Sequence, residues 1–182
     1  TEIDNEAQRA SGIVRRIRDF ARKRAAVREP VDVALLAAEA RRLLLGMLMQ
    51  PPTIDIENHC LPGCEVLADG PQIQQVLLNL LKNAIDAGRD LPAERQGIFL
   101  RIESADNRQL VHVIDQGCGL TTDDLGHLFE PFFTTKPDGL GLGLPICKTI
   151  IEAHGGRLWA ELNPQRPGMR FSFSLPCHVT PV

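Results

Sequence analysis

Between Asp69 and Gly88 the apolar residues Ile73, Val76, Leu77, Leu80, Leu81 and Ala84 recur at steps of three and four, the spacing of one buried stripe on an α-helix. The ends of the stretch agree with that period. Asp69-Gly70-Pro71 opens the pattern, with a proline suited to a first turn, and Gly88 supplies a stop. Around this helix the pattern changes to that of strands, with short alternating runs at 53–58, 64–67, 97–103 and 109–115. A second helix is expected from a cap at Asp32 to about Met49, ended by Gln50-Pro51-Pro52, and a third from Pro145 to His154, closed by Gly155-Gly156. Two strands follow. In the last, Met169, Phe171, Phe173 and Leu175 alternate with Arg170, Ser172 and Ser174, so one face covers a core. Helices mixed with adjacent strand pairs predict an α/β layer pair rather than repeated parallel βαβ units.

Residues 1–28 follow a different rule. Ile3, Ala7, Ala10, Val14, Ile17 and Ala21 form a heptad seam, which predicts one long helix packed lengthwise against partner helices and broken at Pro30. The chain thus divides into a helical segment, 1–29, and a domain, 30–182. With 182 residues, 43% of them hydrophobic, the chain can bury a core of its own. No apolar run approaches the roughly 20 residues of a membrane-spanning helix, so no membrane contact is expected from this segment. The net charge of −3 gives no electrostatic case for nucleic acid, and the arginines and lysines between Arg15 and Arg28 are read as a solvated helix face. Five cysteines without a repeated pair spacing suit free thiols in a reducing cytoplasm. His59, Cys60 and Cys64 lack the second ligand pair of a zinc site.

Three groups of residues carry chemistry. Gly139, Gly141 and Gly143 alternate directly before a helix, where absent side chains and unpaired amides suit the approach of a phosphate, although neither the dinucleotide fingerprint nor the P-loop is present. Asn79, Asn83 and Asp86 line one flank of the 71–87 helix, and an Asn carbonyl oxygen is a hard ligand of the kind Mg²⁺ takes alongside substrate phosphates. Asp115 ends a strand before Gln116-Gly117-Cys118-Gly119, placing a carboxylate at a sharp bend, where it can accept a hydrogen bond from the amine of adenine or simply form the turn. The segment from about 116 to 144 is long for a connector, as lids and binding loops are.

In order, QQVLLNLLKNAIDA (74–87), DQGCGL (115–120), LFEPFFTTK (128–136) and GLGLGL (139–144) resemble the nucleotide-binding boxes of the histidine kinase branch of the GHKL ATP-binding superfamily. The resemblance covers about residues 31–176. It implies a Bergerat fold, a two-layer α/β sandwich with a mixed β-sheet and helices on one face, binding ATP and Mg²⁺ beneath a lid at about 116–144 and here preceded by a long N-terminal helix. It makes Asn83 the metal ligand, Asp115 the adenine carboxylate, Gly117 and Gly119 the bend beside the base, and the three later glycines the phosphate-side hinge. Asn79, Asn83 and Lys136 become the catalytic set. Lys82, Asp86, Leu120, Phe133, Thr134, Thr135, Leu140, Leu142 and Leu144 join the nucleotide-binding positions. Phe129, Phe132 and Phe133 resemble the aromatic lid box and are expected to anchor the lid.

Superfamily members that hydrolyse ATP carry a water-activating Glu one turn before the metal-binding Asn. Here that position is Asn79, which is no general base, so rapid hydrolysis is not expected. The resemblance implies transfer of the γ-phosphoryl group to a histidine of a dimerisation helix, with a homodimeric full-length kinase and a response regulator as partners. The heptad helix resembles only the second helix of that dimerisation domain. None of His59, His112, His127, His154 and His178 sits in a phosphoacceptor setting, so the expectation is a cytoplasmic catalytic fragment of a kinase whose full length could be membrane-anchored. A non-catalytic nucleotide-binding interaction module and a protein serine kinase of the same superfamily remain alternatives.

Overall fold

The computed structural model describes residues 27–60, 63–136, 139–163 and 167–178. The heptad helix expected over 1–28 lies almost wholly outside them. Seven strands form one sheet: β1 Glu29–Val31, β2 Ile54–Asn58, β3 Glu65–Ala68, β4 Ile98–Ala105, β5 Arg108–Ile114, β6 Arg157–Leu162 and β7 Met169–His178. The order is β1-β3-β7-β5-β4-β2, with β6 pairing β7. The sheet is mixed, since β2 runs parallel to β4 while the other pairs are antiparallel.

Three helices cover one face: α1 Val33–Gly46, α2 Gly70–Gly88 and α4 Gly143–Ala153; the six-residue α3, Thr122–His127, lies between α2 and α4 in sequence. Asp32 caps α1 as the sequence predicts, accepting the Ala34 and Leu35 amides, and Asp69 caps α2 by accepting the Gln72 amide. The stripe Ile73, Val76, Leu77, Leu80, Leu81 and Ala84 is buried against Leu100, Ile102, Val111, Val113 and Phe173. Each large side chain in that layer contributes about 1.5–3 kcal/mol by leaving water. α2 and α4 run antiparallel. His154 at the end of α4 accepts the amide of Asp69 at the start of α2 on Nε2, and its Nδ1 lies 2.8 Å from the Ile150 carbonyl.

Two elements depart from the sequence reading. Pro30, expected as a helix breaker, sits inside β1, an edge strand where its missing N–H leaves no ladder bond unmade. The third helix begins at Gly143, two residues before Pro145, because proline is tolerated in a first turn. The serine face of β7 is also closed: Ser172 and Ser174 are buried under His112 and Arg108, which hydrogen-bond to their hydroxyls.

Candidate functional site

The expected site residues gather where the C-terminal half of α2, the start of α4 and the bend after β5 meet. Asn79 Nδ2 contacts Cys147 Sγ on α4 at 3.6 Å, and Gly117 lies against Ala87 so closely that an added Cβ would come within 2.9 Å of both its Cβ and its carbonyl oxygen. Nothing larger than glycine fits there.

Asp115 forms one wall. It is 2% exposed, and its Oδ1 accepts the amides of Gly117 at 2.9 Å and Met169 at 3.1 Å. Oδ2 has no hydrogen bond among the described residues, so one oxygen is fixed by the fold and the other remains for a ligand's donor. Burial pushes this carboxyl above the ordinary Asp value of 3.8, and the two amides partly offset the rise. Residue 169 was not legible as part of the site. Its amide reaches Asp115 because β7 begins beside the end of β5, where the Asp115 amide also donates to the Met169 carbonyl at 3.0 Å.

The second wall gathers three of the expected residues across fifty positions. Lys136 Nζ lies 3.2 Å from Asn83 Oδ1 and 2.9 Å from Asp86 Oδ2. A cation thus already sits on the oxygen expected to hold a metal, and the donor set, an amide oxygen beside a carboxylate, fits Mg²⁺. Lys82 is not part of this group; it is exposed on α2 without a partner among the described residues. Thr134 Oγ1 accepts the Lys136 amide at 3.1 Å and shapes the turn, while Thr135 is exposed.

The third element is the start of α4. Unlike α1, α2 and α3, it has no side-chain cap, and its first intrahelical bond runs from Ile146 to Leu142. Among the described residues the amides of Gly143 and Leu144 have no acceptor, which suits an anion. Leu142 is buried and can offer only backbone groups; Leu120, Leu140 and Leu144 pack against the core. Gly119 lies near Gly168 and Leu162, beside the β6–β7 connection.

The glycines of 139–143 do not all serve close approach to a phosphate. At Gly141 the neighbour is the lid itself: φ is +63°, a Cβ would stand 2.5 Å from the Phe133 carbonyl oxygen and closer still to the Phe132 carbonyl carbon, and the Gly141 carbonyl accepts the Phe132 amide at 2.9 Å. Gly141→Ala is therefore expected to strain the backbone by about 1–2 kcal/mol from the left-handed conformation alone, with the clash in addition. Hydrogen exchange should show loss of protection at the Phe132 amide; unchanged protection would contradict the clip.

The aromatic box is corrected in one position. Phe129 packs against the core and Phe133 stacks near His127, but Phe132 is 72% exposed and anchors nothing within the described residues. Its φ is +70° where its amide donates to the Gly141 carbonyl. Among the described residues no group of three or more His, Cys, Asp or Glu side chains is placed to hold a metal ion, and none of the helices is long and apolar enough to cross a membrane.

Residues 68–179 match the family described as histidine kinase-, DNA gyrase B- and HSP90-like ATPase. Among curated relatives, the sensor protein FixL of Bradyrhizobium diazoefficiens is 40% identical over 94% of this chain, and the sensor histidine kinase TmoS of Ectopseudomonas mendocina 35% identical over 96%. The chain spans 34% and 18% of their respective lengths. Among solved structures, the catalytic domain of histidine kinase ThkA superposes with a TM-score of 0.67 at 32% identity, covering 82% of this chain and 95% of that one. The mycobacterial sensor histidine kinase MprB gives 0.70 at 28% identity, covering 85% of this chain and all of that one.

Proposed function

Since the chain belongs to the family of histidine kinase-, DNA gyrase B- and HSP90-like ATPases, we propose that it binds ATP with Mg²⁺ and transfers the γ-phosphoryl group to a histidine on a dimerisation helix. In this reading Asp115 Oδ2 accepts the adenine amine, and the uncapped start of α4 faces the phosphates. Asn83 offers the amide oxygen that would hold Mg²⁺, the ion that neutralises charge on the transferring group, with the Asp86 carboxylate beside it kept by Lys136. Lys136, released from Asn83, would pair with a phosphate oxygen.

The observation that carries transfer over hydrolysis is the state of Asn79. It carries no carboxylate one turn before Asn83, and its amide is engaged by Cys147. Asp86, the carboxylate bonded within this group, is occupied by the Lys136 ammonium. No group on that flank is disposed to take a proton from water, so the γ-phosphoryl group is left for an acceptor side chain. The relatives named above are sensor kinases, which supports the same reading, with residues 1–29 as part of a dimerisation helix, 30–182 as the catalytic domain, the bacterial cytoplasm as its place, and a response regulator downstream.

The test is transfer of label from γ-labelled ATP to a separately supplied acceptor helix bearing a histidine. An acid-labile, base-stable label on that helix, with little free phosphate released, is expected. ATP binding without any label on the acceptor would leave a nucleotide-binding interaction module, and an acid-stable label would point to a serine kinase.

A further inference from the structure

At the end of the sheet away from Asp115, three of the five cysteines meet. Cys60 follows β2, Cys64 precedes β3, and Cys177 lies near the end of β7. Cys64 Sγ is 3.6 Å from Cys177 Sγ and 3.2 Å from Ser104 Oγ, and the Ser104 hydroxyl donates to Cys60 Sγ at 3.1 Å. All three cysteines are partly exposed, and a depression of about 170 Å³ lined by Asn58, Cys60, Cys64 and Gln109 opens onto the first two. Buried Gln109 donates Nε2 to the Cys64 carbonyl at 2.8 Å and holds that backbone in place.

We propose that Cys64 and Cys177 are a redox modification site, forming a reversible disulfide when the protein meets a peroxide. The partner is set by geometry. Ser104 bridges Cys60 and Cys64, whereas nothing intervenes between Cys64 and Cys177, whose strands are neighbours with Val66 opposite Cys177. Bond formation requires the sulfurs to close by about 1.5 Å, from contact to a covalent S–S length. Cys64 lies just before the first residue of β3, and among the described residues β3 pairs β7 at two positions, so the shift falls on the end of that short ladder.

The two thiols differ in the way such a reaction needs. Burial pushes Cys64 up, but its polar neighbours, Ser104 foremost, outweigh it and bring the thiol below its ordinary value. Burial, followed by the proximity of Cys64, pushes Cys177 up to about 11. Cys64 lines the open depression that a peroxide can enter and Cys177 does not, so Cys64 is the attacking thiolate. It displaces hydroxide from hydrogen peroxide to give a sulfenic acid, the hydroxide taking a proton to leave as water. The Cys177 sulfur then attacks the Cys64 sulfur, giving up its proton as the sulfenic oxygen departs as a second water. Two thiols lose two electrons, one peroxide gains them, and any small thiol reverses the bond by exchange. The link joins β7 to β3, the strand that leads through Asp69 into α2.

The whole chain, treated with hydrogen peroxide, alkylated and digested without reductant, tests this by mass spectrometry. A peptide joining Cys64 to Cys177, an intact mass lower by about 2 Da, and full reversal by dithiothreitol are expected. Cys177→Ser should leave a Cys64 sulfenic acid trappable by dimedone, and Cys64→Ser should slow thiol oxidation at least about tenfold. The mapping on the unaltered protein decides the matter even if a variant fails to fold. A Cys60–Cys64 link in its place, or Cys64 and Cys177 both recovered alkylated while Cys118 is oxidised, would overturn the assignment.

Discussion

Asp115→Asn is expected to weaken ATP binding by about ten- to a hundredfold, the size of one hydrogen bond to a charged group made or lost in a buried site. The argument depends on how the two carboxylate oxygens are used. Oδ1 accepts the Gly117 and Met169 amides, and an Asn oxygen can accept both in the same place. The remaining position then carries an NH₂ group, which meets the adenine amine donor to donor. Titration calorimetry should show the loss for ATP, with a smaller loss for a purine that presents an acceptor there. Unchanged affinity would remove Asp115 from the site.

The same substitution should not harm the fold. Burial raises the Asp115 carboxyl above 3.8 in the folded protein, so the native state holds the proton more tightly than the unfolded chain. Its contribution to stability is present below the ordinary Asp value and is lost as pH rises through the raised one. At neutral pH the buried charge is a cost that Asn does not carry. The melting temperature of the variant, relative to the parent, is therefore expected to improve as pH rises from about 4 to 7. The reverse trend would mean that the ionised carboxylate stabilises the apo fold.

Asn83→Ala is expected to lower phosphoryl transfer at least about a hundredfold and to abolish the Mg²⁺ dependence of ATP binding, since it deletes the amide oxygen assigned to the ion. The fold should tolerate it. Lys136 keeps its 2.9 Å contact with Asp86, and Asn83 is only half-buried on α2. The readout is ATP affinity with and without Mg²⁺, which a merely structural residue would move together. Equal Mg²⁺ dependence in parent and variant would refute the metal role, and Asn83→Asp, which keeps an oxygen at that place, should retain part of it.

The chain's periodicities were sufficient for its layers. The stripe from Ile73 to Ala84 and the alternation from Met169 to Leu175 require a helix and a strand whose apolar faces meet, and the structure buries both in one core. Asp32 was legible as a cap because capping is local chemistry between a side chain and the next three amides. The boxes around Asn83, Asp115 and Gly141 could be picked out for a similar reason, as short runs of unusual residues at fixed spacing. Their mutual distances could not, because nothing in the spacing of residues 83, 86 and 136 says that a lysine will bond to two residues of a helix fifty positions earlier.

Tertiary structure alone decided which oxygen of Asp115 is occupied and which is open, through an amide at position 169 brought in by strand order. It decided that Gly141 accommodates the backbone of Phe132 and Phe133, and that Phe132 faces outward. It also brought Cys64 against Cys177, 113 positions apart. Periodicity and capping act within a few residues and are written in the chain. Hydrogen-bond partners, close approaches and open valences depend on which distant segments the sheet brings side by side, and that follows from packing the whole core at once.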